Sequence, residues 1–286
     1  MRNGSIDALR FVGALGIILF HCDAPGGWIG LSALPMFVLL LVYYGMQRPT
    51  FVGVRRLLSI WLAWSLVYAA LKIAQSIVSG APIVSEFAPW MMLAGPSIHL
   101  WFLSFCALFL VVVSGTRSLP ENALALLCIA ASVAALVIAE TVDLPRPFGQ
   151  WASVVPAGMT GVYMARSKHP AVPALVLALA SLAAVLSGAQ SLTAQNAIAG
   201  FAVAAAVAFP VPQTRLTDML TGLSLGMYLI HPALIALALY LIPKSSPAFF
   251  PLVAAASIVA TFMINSLLPA LRQAGKRSFQ SASRSR

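Results

Sequence analysis

Long stretches of this chain carry no charge. Residues 123–139 and 251–268 are unbroken in this respect. A helix rising about 1.5 Å per residue needs about 20 residues to cross a hydrocarbon core of about 30 Å, and both runs come close to that length. Over all 286 residues only 8% are charged and 60% are hydrophobic, whereas a water-soluble domain clothes itself with about 25% charged side chains. There is too little polar surface to face water on every side, so lipid is the expected solvent. A membrane β-barrel would alternate polar and apolar residues along short strands, and no such alternation appears. The expectation is an all-α, polytopic membrane bundle of about ten transmembrane helices.

Turn chemistry separates these helices. Pro25-Gly26-Gly27, Gly95-Pro96, Gly115, Pro145 with Pro147, Pro170, Pro210 with Pro212, and Pro243 divide the chain. The segments between them lie near 6–22, 28–46, 54–79, 98–114, 121–140, 149–165, 171–188, 194–210, 219–241 and 247–271. Charge parity tests the count. With the N-terminus in the cytoplasm, all but four of the 17 Lys and Arg residues fall on the cytoplasmic side. Arg146 and Lys244 lie outside, and Arg10 and Lys72 lie within helices. Positive charge gathers on the cytoplasmic side of membrane proteins, and adding or removing one helix would invert the later loops. The even count puts both termini in the cytoplasm and predicts a multi-pass protein of the plasma (inner) membrane.

Residues 1–271 are expected to form one transmembrane domain, and 272–286 a basic, Ser-rich, disordered tail. The first apolar stretch, interrupted by Arg10 and ended by His21 and Asp23, lacks a small-x-small cleavage site and does not read as a signal peptide. The net charge of +10 is scattered over helix ends rather than gathered on one face, which argues against a nucleic-acid partner. Three cysteines (Cys22, Cys106, Cys128) give neither a disulfide framework nor a zinc spacing, and no metal is expected.

Ionisable groups inside a membrane are costly and mark candidate sites. The first helix carries Asp7, Arg10 and His21. Eleven positions are about three turns, so Arg10 and His21 share a face about 16 Å apart along the axis. An Arg fork can hold a phosphate, and His can take a proton near neutral pH. Equally, Asp7 and Arg10 can pair as an anchor while His21 caps the helix. A second cluster, His99-Leu100-Trp101-Phe102-Leu103, opens the fourth helix, where His and Trp also suit an interfacial belt. The third places Ser224, Tyr228 and His231 at i, i+4 and i+7, facing one direction. Its Gly222-x-Ser224-x-Gly226 pattern matches a hydrolase nucleophile elbow, but that elbow needs a strand-to-helix turn; close helix packing is the better use of these glycines. Residues 47–56 add Arg48, Arg55 and Arg56 on the cytoplasmic side, where orientation explains the charge but not the use of Arg throughout. Lys72 can pair or snorkel, and Glu86 and Asp23 lie at the level of His21 and His99.

Together these segments resemble the membrane-bound acyltransferase family 3. The resemblance rests on Asp7-x-x-Arg10, the Arg10-to-His21 spacing, the His99–Leu103 segment, and Ser224-x-Gly226-x-Tyr228-Leu229-Ile230-His231-Pro232. Members of that family move acyl groups, commonly acetyl, from a coenzyme A thioester to carbohydrate hydroxyls. The resemblance implies acetyl-CoA or another acyl-CoA as donor, a surface or lipid-linked carbohydrate as acceptor, membrane lipid as surroundings, and glycan-assembly machinery as a partner. It implies a catalytic role for His21 with Arg10 and Asp7, acyl-CoA binding by Arg10, Arg48, Arg55 and Arg56, and substrate binding by His99, Trp101, Glu86, Ser224, Tyr228 and His231. The alternative from the same polar groups is a non-enzymatic transporter of a small anion or lipid-linked sugar, followed by a structural partner in a glycan-assembly complex. An enzyme leaves an ester on a product and releases coenzyme A; a transporter changes only where a solute resides.

Overall fold

A computed structural model describes residues 3–188 and 191–284, with side chains for 3–188 and 193–267. Among them all regular structure is helical. In chain order the helices are α1 Gly4–His21, α2 Gly27–Gly30, α3 Ala33–Met46, α4 Thr50–Ser79, α5 Met91–Ala94, α6 Trp101–Ser114, α7 Glu121–Thr141, α8 Phe148–Met164, α9 Ala171–Leu186, α10 Ser191–Ala208, α11 Arg215–Ala238 and α12 Phe249–Arg284. The basic tail expected at 272–286 has its side chains outside the described residues.

Local chemistry sets these ends. Asn3 accepts the Ser5 N–H at 2.9 Å and caps α1. Thr214 and Thr217 exchange side-chain and backbone bonds in a capping box, which starts α11 a turn earlier than the apolar pattern alone suggests. Gly80, left-handed at φ 69°, ends α4, and its N–H returns to the carbonyls of Ser76 and Ile77. The expected helix 28–46 is broken at Leu31 and Ser32 into α2 and α3.

Seven of the described helical stretches are long and apolar enough to cross a membrane: Gly4–His21, Gly27–Met46, Thr50–Ser79, Ile98–Ser118, Glu121–Thr141, Arg215–Ala238 and Phe249–Leu267. The expected segments near 149–165, 171–188 and 194–210 are helical too, but are not among these seven. A helix the length of α9, 16 residues, rises about 24 Å, less than the usual core. On α7, Leu126, Ile129, Val133 and Val137 form one apolar stripe, each 54–69% exposed. Water would penalise that stripe; hydrocarbon does not.

The chain divides into two compact units, Met1–Gly30 with Pro212–Arg286, and Leu31–Val211. In the first, α11 packs against both α1 and α12, and α2 lies on α1. Gly226 makes the α11–α12 approach possible, because a Cβ there would run into the Thr261 side chain. In the second unit α3 and α7 pack on α8, α9 pairs with α10, and α4 pairs with α6. Gly161 lets α8 meet α3, since a Cβ would sit 2.5 Å from the Leu39 carbonyl.

Candidate functional site

The first unit gathers six of the expected site residues. Near the start of α1, Arg10 lies 3.9 Å from the Asp7 carboxylate, one turn apart. Asp7 is buried, while a third of the Arg10 side chain is exposed. The contact is made by the guanidinium itself, through Nη1. At the other end of α1, His21 stacks edge-on with Phe20 and lies beside His231 of α11, with ring centroids 5.1 Å apart and planes tilted by 33°.

Sequence spacing placed Ser224, Tyr228 and His231 on one face, and the three are buried. They are not chemically equivalent. The Ser224 hydroxyl donates to the Thr221 carbonyl at 3.1 Å, within its own helix. The Tyr228 ring sits 6.0 Å from His231, and the Tyr228 carbonyl lies 2.8 Å from His231 Nδ1.

Lys244, read from the sequence only as an outer-loop charge, holds Asp23 at 2.6 Å. Asp23 has a positive φ of 54°, a left-handed conformation that Asp tolerates better than most residues. Next to His21, Cys22 is buried, and burial pushes its thiol up to about 11.

The second unit holds the other six. His99 is buried, with Nδ1 2.8 Å from the Ser97 hydroxyl and its ring 5.0 Å from Tyr68 in an edge-to-face contact. Trp101, 4% exposed, contacts the core aromatics Phe102 and Phe105. Glu86 pairs with Lys72 at 3.4 Å, so of the two uses foreseen for Lys72 it takes the ion pair. Sequence reading missed the rest of this α4 face. Trp61, Ser65, Tyr68 and Lys72 recur at i, i+4, i+7 and i+11, a helical spacing that could have shown it.

Arg48, Arg55 and Arg56 are exposed. Arg55 and Arg56 line a shallow surface depression with Phe51, Val52 and Ser59. Two other arginines do different work. Arg117 donates to the carbonyls of Arg48 at 2.6 Å and Met46 at 3.3 Å. Arg166 donates to the Arg117 carbonyl at 2.8 Å and the Leu119 carbonyl at 3.5 Å. A planar guanidinium suits paired carbonyls, and these two stitch three connections together at one end of the unit. Among the described residues, no three His, Cys, Asp or Glu side chains form a group that could hold a metal.

Compared with known proteins, the chain matches no family model, no curated protein and no solved structure.

Proposed function

We propose that this chain is an integral membrane O-acyltransferase of the kind found in the membrane-bound acyltransferase family 3. It moves an acetyl or other short acyl group from cytosolic acyl-CoA to a hydroxyl of a surface or lipid-linked carbohydrate. The observation that carries the reading is the placement of His21 5.1 Å from His231, on the helix that also bears the Asp7–Arg10 pair. A base and a phosphate-binding fork on one helix, about 16 Å apart, suit an extended thioester donor whose charged end cannot enter lipid. From the resemblance, Arg55 and Arg56 are also phosphate-binding candidates; they lie exposed in the second unit.

In this mechanism His21 takes the proton of the acceptor hydroxyl, whose oxygen attacks the thioester carbonyl. The developing oxyanion needs a donor. Ser224 and Tyr228 lie buried on the α11 face that carries His231, and a hydroxyl of this face is the candidate donor. The C–S bond then breaks, and the leaving thiolate takes the proton from His21. The topology belonging to this reading has about ten spans and both termini in the cytoplasm, with the chain in the plasma membrane.

The test is His21→Gln, assayed for acetyl ester on the membrane's glycans and normalised to folded protein. Removing a general base is expected to lower transfer by about 10²- to 10⁴-fold. Gln keeps donor and acceptor groups, so a helix-capping role predicts near wild-type transfer, and that result would remove His21 from the mechanism.

A further inference from the structure

In an α-helix the N–H of residue i donates to the carbonyl of residue i−4, and proline has no N–H. Pro232 lies inside α11, so the Tyr228 carbonyl is deprived of its helical donor. The His231 side chain occupies that place. Its Nδ1 is 2.8 Å from the Tyr228 oxygen and 3.3 Å from the Met227 oxygen. A carbonyl can only accept, so Nδ1 carries hydrogen. In a neutral imidazole the other nitrogen then has a lone pair to offer, and in His231 that is Nε2. The ring is fully buried, so bulk solvent does not compete for the bond. His21, by contrast, closes α1 and is partly exposed, so its ring can turn while that of His231 stays fixed. The two centroids are 5.1 Å apart, close enough for an N–H of one ring to meet a nitrogen of the other after a small rotation.

We infer that His231 is the hydrogen-bond partner of His21: Pro232 and the Tyr228 carbonyl lock it as the Nδ1–H tautomer, and its Nε2 accepts the N–H of His21. This pairing dictates which nitrogen of His21 is bare. That bare nitrogen takes the proton of the acceptor hydroxyl as the oxygen bonds to the thioester carbon. It returns the proton to sulfur once the C–S bond has broken. His231 neither gains nor loses a proton over the cycle; it is a positioning residue that fixes the His21 tautomer and spreads the transient charge. The use made of the proton rests on the transfer reading above, whereas the pairing does not.

The chain has only four histidines, so imidazole ¹⁵N NMR of the full-length protein in lipid nanodiscs can resolve each ring. The wild type is expected to show His231 as Nδ1–H. Pro232→Ala gives the Tyr228 carbonyl a backbone donor again and is expected to mix the His231 tautomers, while every side chain of the pair is kept. His231→Asn retains an N–H near the Nδ1 position but has no acceptor at Nε2, and is expected to shift the His21 signals. In native membranes, which supply the acceptor, His231→Asn is expected to lower kcat for coenzyme A release from acetyl-CoA by about tenfold or more with KM unchanged. His231 found as Nε2–H, or His21 signals unmoved by His231→Asn, overturns the pairing. If the signals move as expected while His21→Gln and His231→Asn both release coenzyme A at the wild-type rate, the pairing stands and the transfer reading fails.

Discussion

Cys22 sits one residue from the proposed base, where a nucleophile for an acyl-enzyme route would have to be. The thiolate is the reactive form, and a thiol pushed up to about 11 by burial is ionised in only about one molecule in ten thousand at pH 7. Cys22→Ser is therefore expected to release coenzyme A within about twofold of wild type, and Cys22 itself to react slowly with maleimides. A loss of tenfold or more in Cys22→Ser would instead indicate an acyl-thiol intermediate. At this scale the sequence was partly legible. Arg10, His21 and His231 stand out because charge and imidazole are rare in apolar runs. That His21 and His231 meet is not readable, since no periodicity links residues on helices so far apart in the chain. The Pro232 device is legible in part: the missing N–H identifies Tyr228 as the bereft carbonyl, but not which side chain answers it.

Helix positions followed from apolar runs and their Pro and Gly breaks, because lipid leaves the backbone few alternatives to the helix. What escaped was the difference between arginines. In a sequence, Arg48, Arg55, Arg56, Arg117 and Arg166 all read as orientation signals. In the fold Arg117 and Arg166 bond backbone carbonyls across connections, while Arg55 and Arg56 face outward. The two sets should separate experimentally. Arg117→Ala is expected to lower thermal stability by about 1 kcal/mol, discounted for its exposure, with the KM for acyl-CoA unchanged. Arg55→Ala combined with Arg56→Ala is expected to raise that KM severalfold with stability unchanged. A reversal of these effects would give Arg55 and Arg56 the structural role and send the donor to the carbonyl-bound pair.

For the whole molecule, composition alone predicted a lipid-solvated helical protein, and the exposed apolar stripe on α7 agrees with it. Span number is harder. Helices α8 and α9 are short, and length does not decide whether a helix of 16 or 17 residues crosses a thinned bilayer or stops within it. Topology can decide it. A reporter fused after Lys276 is expected in the cytoplasm and one inserted near Ala88 outside; both on one side would break the ten-span arrangement.

The first compact unit is assembled from the two ends of the chain, residues 1–30 and 212–286. Synthesis therefore puts a delay into its folding. At roughly 5–20 residues per second, α1 waits on the order of 10–40 s before α11 emerges to cover it. Throughout that interval His21 has no His231 beside it. A ribosome stalled near residue 211 would leave α1 as an orphan, an apolar helix carrying three ionisable side chains into lipid and open to the quality-control proteases of its membrane.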